Sequence, residues 1–262
     1  MIRSMYSAAT GMEAQQLYMD TISNNLANVN TTSFKRSRVE FQDLMYQTLK
    51  EPGIKNSEGE MSPTGIEVGL GVKSSATQRI FEQGSLNQTS NSMDVAIEGE
   101  GFYQVNMPDG TMGYTRDGSF KLDSNGTVVT TDGNTVVPEI NVPEGSSSFT
   151  VSSSGKVSVI LAGKETSTEI GQMELARFVN SSGLRSLGSN MYGVSDASGE
   201  PILETPGENG IGKLNQGYTE ASNVQMVEEM VNMITAQRAY EIVSKSITVS
   251  DQMLQTANNM KS

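Results

Sequence analysis

No cysteine, histidine or tryptophan occurs among the 262 residues. Without cysteine there are no disulfides and no thiolate metal sites, and the fold never relies on oxidation. Without histidine there is no Ser-His-Asp or Cys-His catalytic arrangement and no imidazole-based zinc site. Catalysis, if any, falls to carboxylates, lysine or tyrosine. No run of about eighteen apolar residues is present, so no membrane-spanning helix is predicted. The first residues also lack the apolar stretch of a secretory signal, since Arg3 is followed by Ser4, Tyr6, Ser7, Thr10, Glu13 and Gln15. Any route out of the cytoplasm is therefore expected to bypass general secretion.

What is present is unevenly distributed. The net charge of −12 sits in the middle of the chain. Residues 1–50 carry five basic and four acidic groups, residues 51–213 ten and 21, and residues 214–262 three and five. An acidic middle repels phosphates and argues against nucleic acid. Methionine is abundant, with 16 copies; flexible and polarizable, it suits helix faces that pack differently against different neighbours.

The first thirty residues follow a heptad. Met1, Met5, Ala8, Met12, Gln15, Met19, Ile22, Leu26 and Val29 alternate by fours and threes, with Gln15 the one polar break. Gly11 within this seam weakens an isolated helix by about 1 kcal/mol. The C-terminal end reads alike: Ser222 and Gln225 have capping-box spacing. One apolar stripe then runs through Val224, Val227, Val231 and Ile234. A second runs through Met226, Met230, Met233, Tyr240, Ile247 and Leu254. A helix over about 223–259 would be roughly 55 Å long, and two adjacent stripes imply more than one partner. Between the ends, Asp109-Gly110, Asp117-Gly118, Asn125-Gly126, Asp132-Gly133 and Ser154-Gly155 separate short runs such as Thr127-Val128-Val129. This pattern predicts antiparallel β structure over about 72–212. Residues 46–65, with Pro52, Gly53 and Pro63, match neither class and read as an exposed loop or extension. The expected fold is α+β, with the terminal helices paired antiparallel as a coiled coil and a β domain inserted between them.

None of the possible chemical motifs survives inspection. Asp123, Asn125 and Gly126 could open a calcium loop, but no Glu stands at its twelfth position, and a hairpin turn accounts for them. Gly65, Gly69 and Gly71 lack the Lys-Ser/Thr of a phosphate loop. Lys35, Arg36 and Arg38 read as a solvated or interface face. Glu98 and Glu100 are the best carboxylate pair for a hydrolase, yet they read as charges at a strand end. No catalytic, cofactor or metal residue is assigned.

Three blocks carry a family resemblance. The first is Asn24-Asn25-Leu26-Ala27-Asn28-Val29-Asn30-Thr31-Thr32 with Phe34-Lys35. The second is Asp94-Val95-Ala96-Ile97, Gly99, Gly101-Phe102, Tyr114-Thr115-Arg116 and Gly118-Ser119-Phe120. The third is Glu220, Ser222-Asn223-Val224, Glu228 through Ile234, Ala236 through Glu241 and Ser244-Lys245. Together they span the chain and resemble the flagellar rod and hook proteins, with Ser33 standing where that family usually has glycine. Length and the 46–63 segment resemble the branch that builds the distal rod; the hook and proximal rod proteins are the alternatives.

The resemblance implies a helically polymerising structural subunit and no enzyme. It places residues 1–30 plus 222–262 in an inner tube and 72–185 in an outer β domain. A connecting region of 31–71 plus 186–221 includes a rod-specific arm, 46–63, marked by Tyr46, Leu49, Pro52, Gly53 and Pro63. Subunit contacts are expected at Met5, Met12, Met19, Ile22, Leu26, Val29, Val227, Met230, Val231, Met233, Ile234, Tyr240, Ile247 and Leu254. Implied partners are further copies of the chain, proximal rod proteins, hook protein, the peptidoglycan and outer-membrane ring proteins and the flagellar export apparatus. The implied location is the rod that spans the cell envelope, reached by flagellar type III export.

Overall fold

A computed structural model describes residues 2–53, 63–162 and 166–260. The chain forms two compact units, one of residues 1–27, 37–79 and 225–262 and the other of 28–36 and 80–224.

The first unit contains α1 (Ile2–Ala27), strands β1 (Ser37–Asp43), β2 (Tyr46–Lys50), β3 (Ile66–Gly69) and β4 (Val72–Arg79), and α2 (Met226–Asn259). Two contacts set the direction of the helix pair. Asn25 reaches Glu229 near the start of α2, and a Cβ added at Gly11 would lie 3.8 Å from Val243. Both pairs sum to the same number, so the helices run antiparallel. On α2, Glu229, Ala236 and Ser250 are buried. With Val243 they form a strict seven-residue period of small and polar side chains, flanked by the half-buried Met233, Ile247 and Leu254. The apolar core here is thin. Among the described residues of this unit, Ala14, Ile22, Val39 and Ala236 are its fully buried apolar side chains.

Two expectations need correction. The helix starts at Met226, with Gln225 as an N-cap that makes no side-chain bond. The Ser222 hydroxyl instead accepts from the nearby Val224 N–H, so the capping box does not form. Regular β structure also begins far earlier than residue 72. β1 pairs antiparallel with β4, and β2 pairs with β3, so Tyr46–Lys50 is a strand of a hairpin. Tyr46 and Thr48 favour extended backbone there, whereas the Pro and Gly that suggested a loop lie beyond it. Residues 54–62 of the expected arm, and Met1 of the heptad, lie outside the described residues.

Every strand pairing in the second unit is antiparallel, with one 3₁₀ turn at Ser181–Gly183. Its largest sheet runs Arg185–Gly188, Met191–Gly193, Met112–Thr115, Phe102–Asn106, Thr135–Val137, Val128–Val129 and Lys121–Leu122. A meander of Ser146–Val151, Lys156–Leu161 and Ser167–Gln172 adds a second layer. The core gathers Val95, Ile97, Tyr103, Val105, Phe120, Val157, Met173, Leu175 and Leu214. A second cluster stacks Phe81, Phe102, Tyr114, Phe178 and Tyr192 edge to face. Two short ladders, Val95–Glu98 with Lys213–Gln216 and Leu86–Gln88 with Tyr218–Glu220, bring the end of the unit back to its start.

Candidate functional site

Those ladders set up a buried cluster of charge. Glu220 ends the strand Tyr218–Glu220, Arg116 directly follows the strand Met112–Thr115, and Lys35 lies in the segment after α1. The Lys35 ammonium lies 2.6 Å from Glu220 Oε1, and the Arg116 Nε 2.9 Å from Glu220 Oε2, with all three side chains 0–3% exposed. Every remaining polar atom in this cluster is accounted for. Lys35 also donates to the Glu82 carbonyl at 2.6 Å, and the Gly84 N–H donates to Glu220 Oε1. Arg116 donates to the carbonyls of Gly101 and Gly99, and its guanidinium lies over the Phe102 ring.

One carboxylate facing two cations explains the protonation energetics. Burial raises the cost of charging Glu220, but Arg116 and Lys35 outweigh it and hold the carboxyl below its usual range. Lys35 is the surplus cation. Burial first, then Arg116, lowers it to about 8 against the pull of Glu220. The reading of Lys35 as part of a solvated face is thereby overturned, because its charge is matched inside the protein rather than by water. Arg38 does sit at the surface, paired with Glu40.

Around the ion pairs, residues 30–36 are fastened on several sides. Ser33 adopts φ +56°, a left-handed conformation that favours glycine. Its N–H donates to the Glu220 carbonyl and its hydroxyl to the Arg116 carbonyl at 2.9 Å. These two bonds replace the freedom a glycine would supply. Asn223 accepts from the Arg36 N–H and donates to the carbonyls of Ile80 and Glu82. Asn190 donates to the Thr32 carbonyl. In the first unit, Asn25 does a related job: its amide exchanges two hydrogen bonds of 2.9 Å with the Ser37 backbone, like a strand partner.

Among the described residues, no group of three or more carboxylates could hold a metal ion, and no helix is long and apolar enough to cross a membrane. Glu98 and Glu100 are exposed, and Glu98 accepts from Asn215. Asp123 through Gly126 form a turn closed by the Gly126 N–H to the Asp123 carbonyl.

The predicted contact residues divide into three groups. Ile22 is buried. Met5, Met12, Met19, Leu26, Val29, Met233, Ile247 and Leu254 are half-buried. Val227, Met230, Val231, Ile234 and Tyr240 are exposed, Val227 by 75%. Ile242, Val249 and Met253, absent from the expected set, extend this outward stripe along α2. On the hairpin, Tyr46, Leu49, Pro52, Gly53 and Pro63 are all exposed, joined by Met45 and Ile66.

Three segments match known families. Residues 5–35 match the flagella basal body rod protein family, 96–159 the flagellar hook protein FlgE/F/G D1 domain, and 215–260 the C-terminal region of the flagellar basal body rod FlgEFG proteins. Lys35, Arg116 and Glu220 fall one in each, so the three segments meet in a single ion-pair cluster. The chain is 53% identical over 260 residues to the flagellar basal-body rod protein FlgG of Buchnera aphidicola, covering 99% of this chain and all of that one. It is 52% identical to that of Borreliella burgdorferi, over 100% of this chain and 99% of the relative. Against that of Bacillus subtilis it is 40% identical, with both chains fully covered.

Proposed function

The chain belongs to the flagellar basal-body rod proteins, and on that premise we propose that it polymerises helically into the distal rod. In this reading the rod is a straight drive shaft that carries motor torque to the hook around a central export channel. The role is structural, and no catalytic step is assigned.

The observation that carries the reading is the mismatch between the two halves of the molecule. The β unit has a filled core and a fully satisfied buried charge cluster. The helical unit buries few apolar side chains and leaves Val227, Val231, Ile234, Ile242, Val249 and Met253 exposed along α2. Complete burial of six such side chains contributes on the order of 10 kcal/mol before association costs, and those costs are of similar size. Repeated contacts along a polymer supply the rest. The outward stripe therefore suits packing against further copies, with the helix pair acting as a coiled coil in the inner tube.

Within that tube we assign residues 1–30 plus 222–262 to the inner layer, 31–71 plus 186–221 to the connection and 72–185 to the outside. The hairpin of β2 and β3 serves as the arm that stiffens the shaft by lying against a neighbour. Proximal rod and hook proteins adjoin the polymer's ends, the ring proteins surround it, and the flagellar type III apparatus exports the subunit. Replacing Val227, Val231 and Ile234 together by Asp tests the central step. The variant is expected to fold with unchanged circular dichroism yet fail to restore a rod to cells lacking the gene; rods of normal length would overturn it. Deleting residues 46–63 is expected to give curved or unstable rods, and straight, unchanged ones would remove the stiffening role.

A further inference from the structure

α2 carries three exposed methionines. Met226 and Met230 stand one helical turn apart beside Val227 and Ile234, and Met253 follows Val249 by one turn. Each is about half exposed. In the β unit Met112 is 44% exposed, whereas Met173 and Met191 are 1% and 4% exposed. A peroxide therefore reaches the α2 methionines of an unassembled subunit while the core ones are shielded. We propose that these three methionines are redox-sensitive sites spread along α2, and that their conversion to sulfoxide blocks polymerisation. This rests on the reading of α2 as the assembly face.

The chemistry is a two-electron oxygen transfer. The thioether sulfur attacks one oxygen of a hydroperoxide and the O–O bond breaks. With hydrogen peroxide the products are methionine sulfoxide and one water. The product is polar and chiral where the parent was apolar and flexible. Inside a polymer contact its oxygen would have to find a donor or remain unsatisfied, which raises the critical concentration about tenfold for each site so buried. Methionine sulfoxide reductases with a thiol reductant return the thioether, so the block is reversible.

The test uses the full chain. Monomer is treated with hydrogen peroxide, sulfoxides are mapped by peptide mass spectrometry, and the critical concentration for sedimentable polymer is measured before and after. Oxidation is expected first at Met226, Met230 and Met253 and at the exposed Met45, Met112 and Met260, with Met173 and Met191 spared. The critical concentration should rise at least tenfold and return after reductase treatment. The Met226→Leu/Met230→Leu/Met253→Leu variant should show a treated-to-untreated ratio near one, whatever its untreated value. The Met45→Leu/Met112→Leu/Met260→Leu variant should keep the full ratio. Equal polymerisation by oxidised and untreated wild-type chain overturns this inference alone, as does loss of the effect in the Met45→Leu/Met112→Leu/Met260→Leu variant. Untreated chain that never polymerises overturns the assembly reading and this inference with it.

Discussion

Replacing Glu220 by Gln leaves its shape and removes its charge, which tests the buried cluster most sharply. Lys35 and Arg116 would then be two buried cations with no anion, each still held in place by backbone carbonyls. Removing one partner of a buried ion pair costs about 3–5 kcal/mol, because the remaining charge is uncompensated. For a unit of roughly 150 residues, each kcal/mol lowers Tm by about 2–4 °C, so a drop of about 6–20 °C is expected. Lys35→Met is the informative contrast. The two acceptors it abandons keep other donors, Gly84 for Glu220 Oε1 and Asn223 for the Glu82 carbonyl. Glu220 also keeps Arg116, so this variant should lose less than about 1.5 kcal/mol. Thermal unfolding followed by circular dichroism and calorimetry reads both. A Glu220→Gln shift under about 2 °C, or a Lys35→Met shift equal to it, would refute the assignment of two cations to one carboxylate.

Further outcomes follow from neighbouring features. Lys35 in the folded chain titrates near 8, below its usual 10.5, so between those values the unfolded chain binds more protons and this group's contribution to stability rises with pH. Glu220 is shifted downward; its contribution is present above the ordinary glutamate range and is lost as pH falls through its lowered folded value, a trend that Glu220→Gln should abolish in acid unfolding curves. Ser33→Ala keeps the positive φ and loses the hydroxyl bond to Arg116, so about 1–2 kcal/mol should go, whereas Ser33→Gly trades that bond for relief of strain and should stay within about 1 kcal/mol of the parent in denaturant unfolding. Gly118→Ala would drive a Cβ into the Val95 carbonyl, and soluble, cooperatively unfolding protein from that variant would contradict the described packing.

Much of the architecture was legible because it is local. The heptads of the two ends and the Asp-Gly and Asn-Gly turns of the middle each report on nearby residues. Helices stand at both ends, and three of those four turns close hairpins. Asp117-Gly118 instead lies between strands that do not pair, and its glycine carbonyl accepts from the Val95 N–H. The pairing seam of α2 was harder to see. It runs through Glu229, Ala236, Val243 and Ser250, residues that an apolar count passes over, while the conspicuous Val227, Val231 and Ile234 face outward. The ion-pair cluster was missed for a different reason. Lys35 adjoins Arg36 and Arg38 in the chain and looks like one of a surface trio, yet its partner Glu220 is 185 residues away and Arg116 lies 104 residues before Glu220. Burial of a charge depends on such distant partners. The available signal was that each of the three resemblance blocks carried one member of the cluster. The strand Tyr46–Lys50 was obscured by the Pro and Gly that follow it, which end the strand without preventing it.

Electron microscopy of basal bodies from a strain lacking this gene tests the central claim most directly. A rod that stops short, without outer rings or hook, is the predicted result. A complete, ringed rod missing only its hook would contradict the distal rod assignment and the reading of residues 46–63.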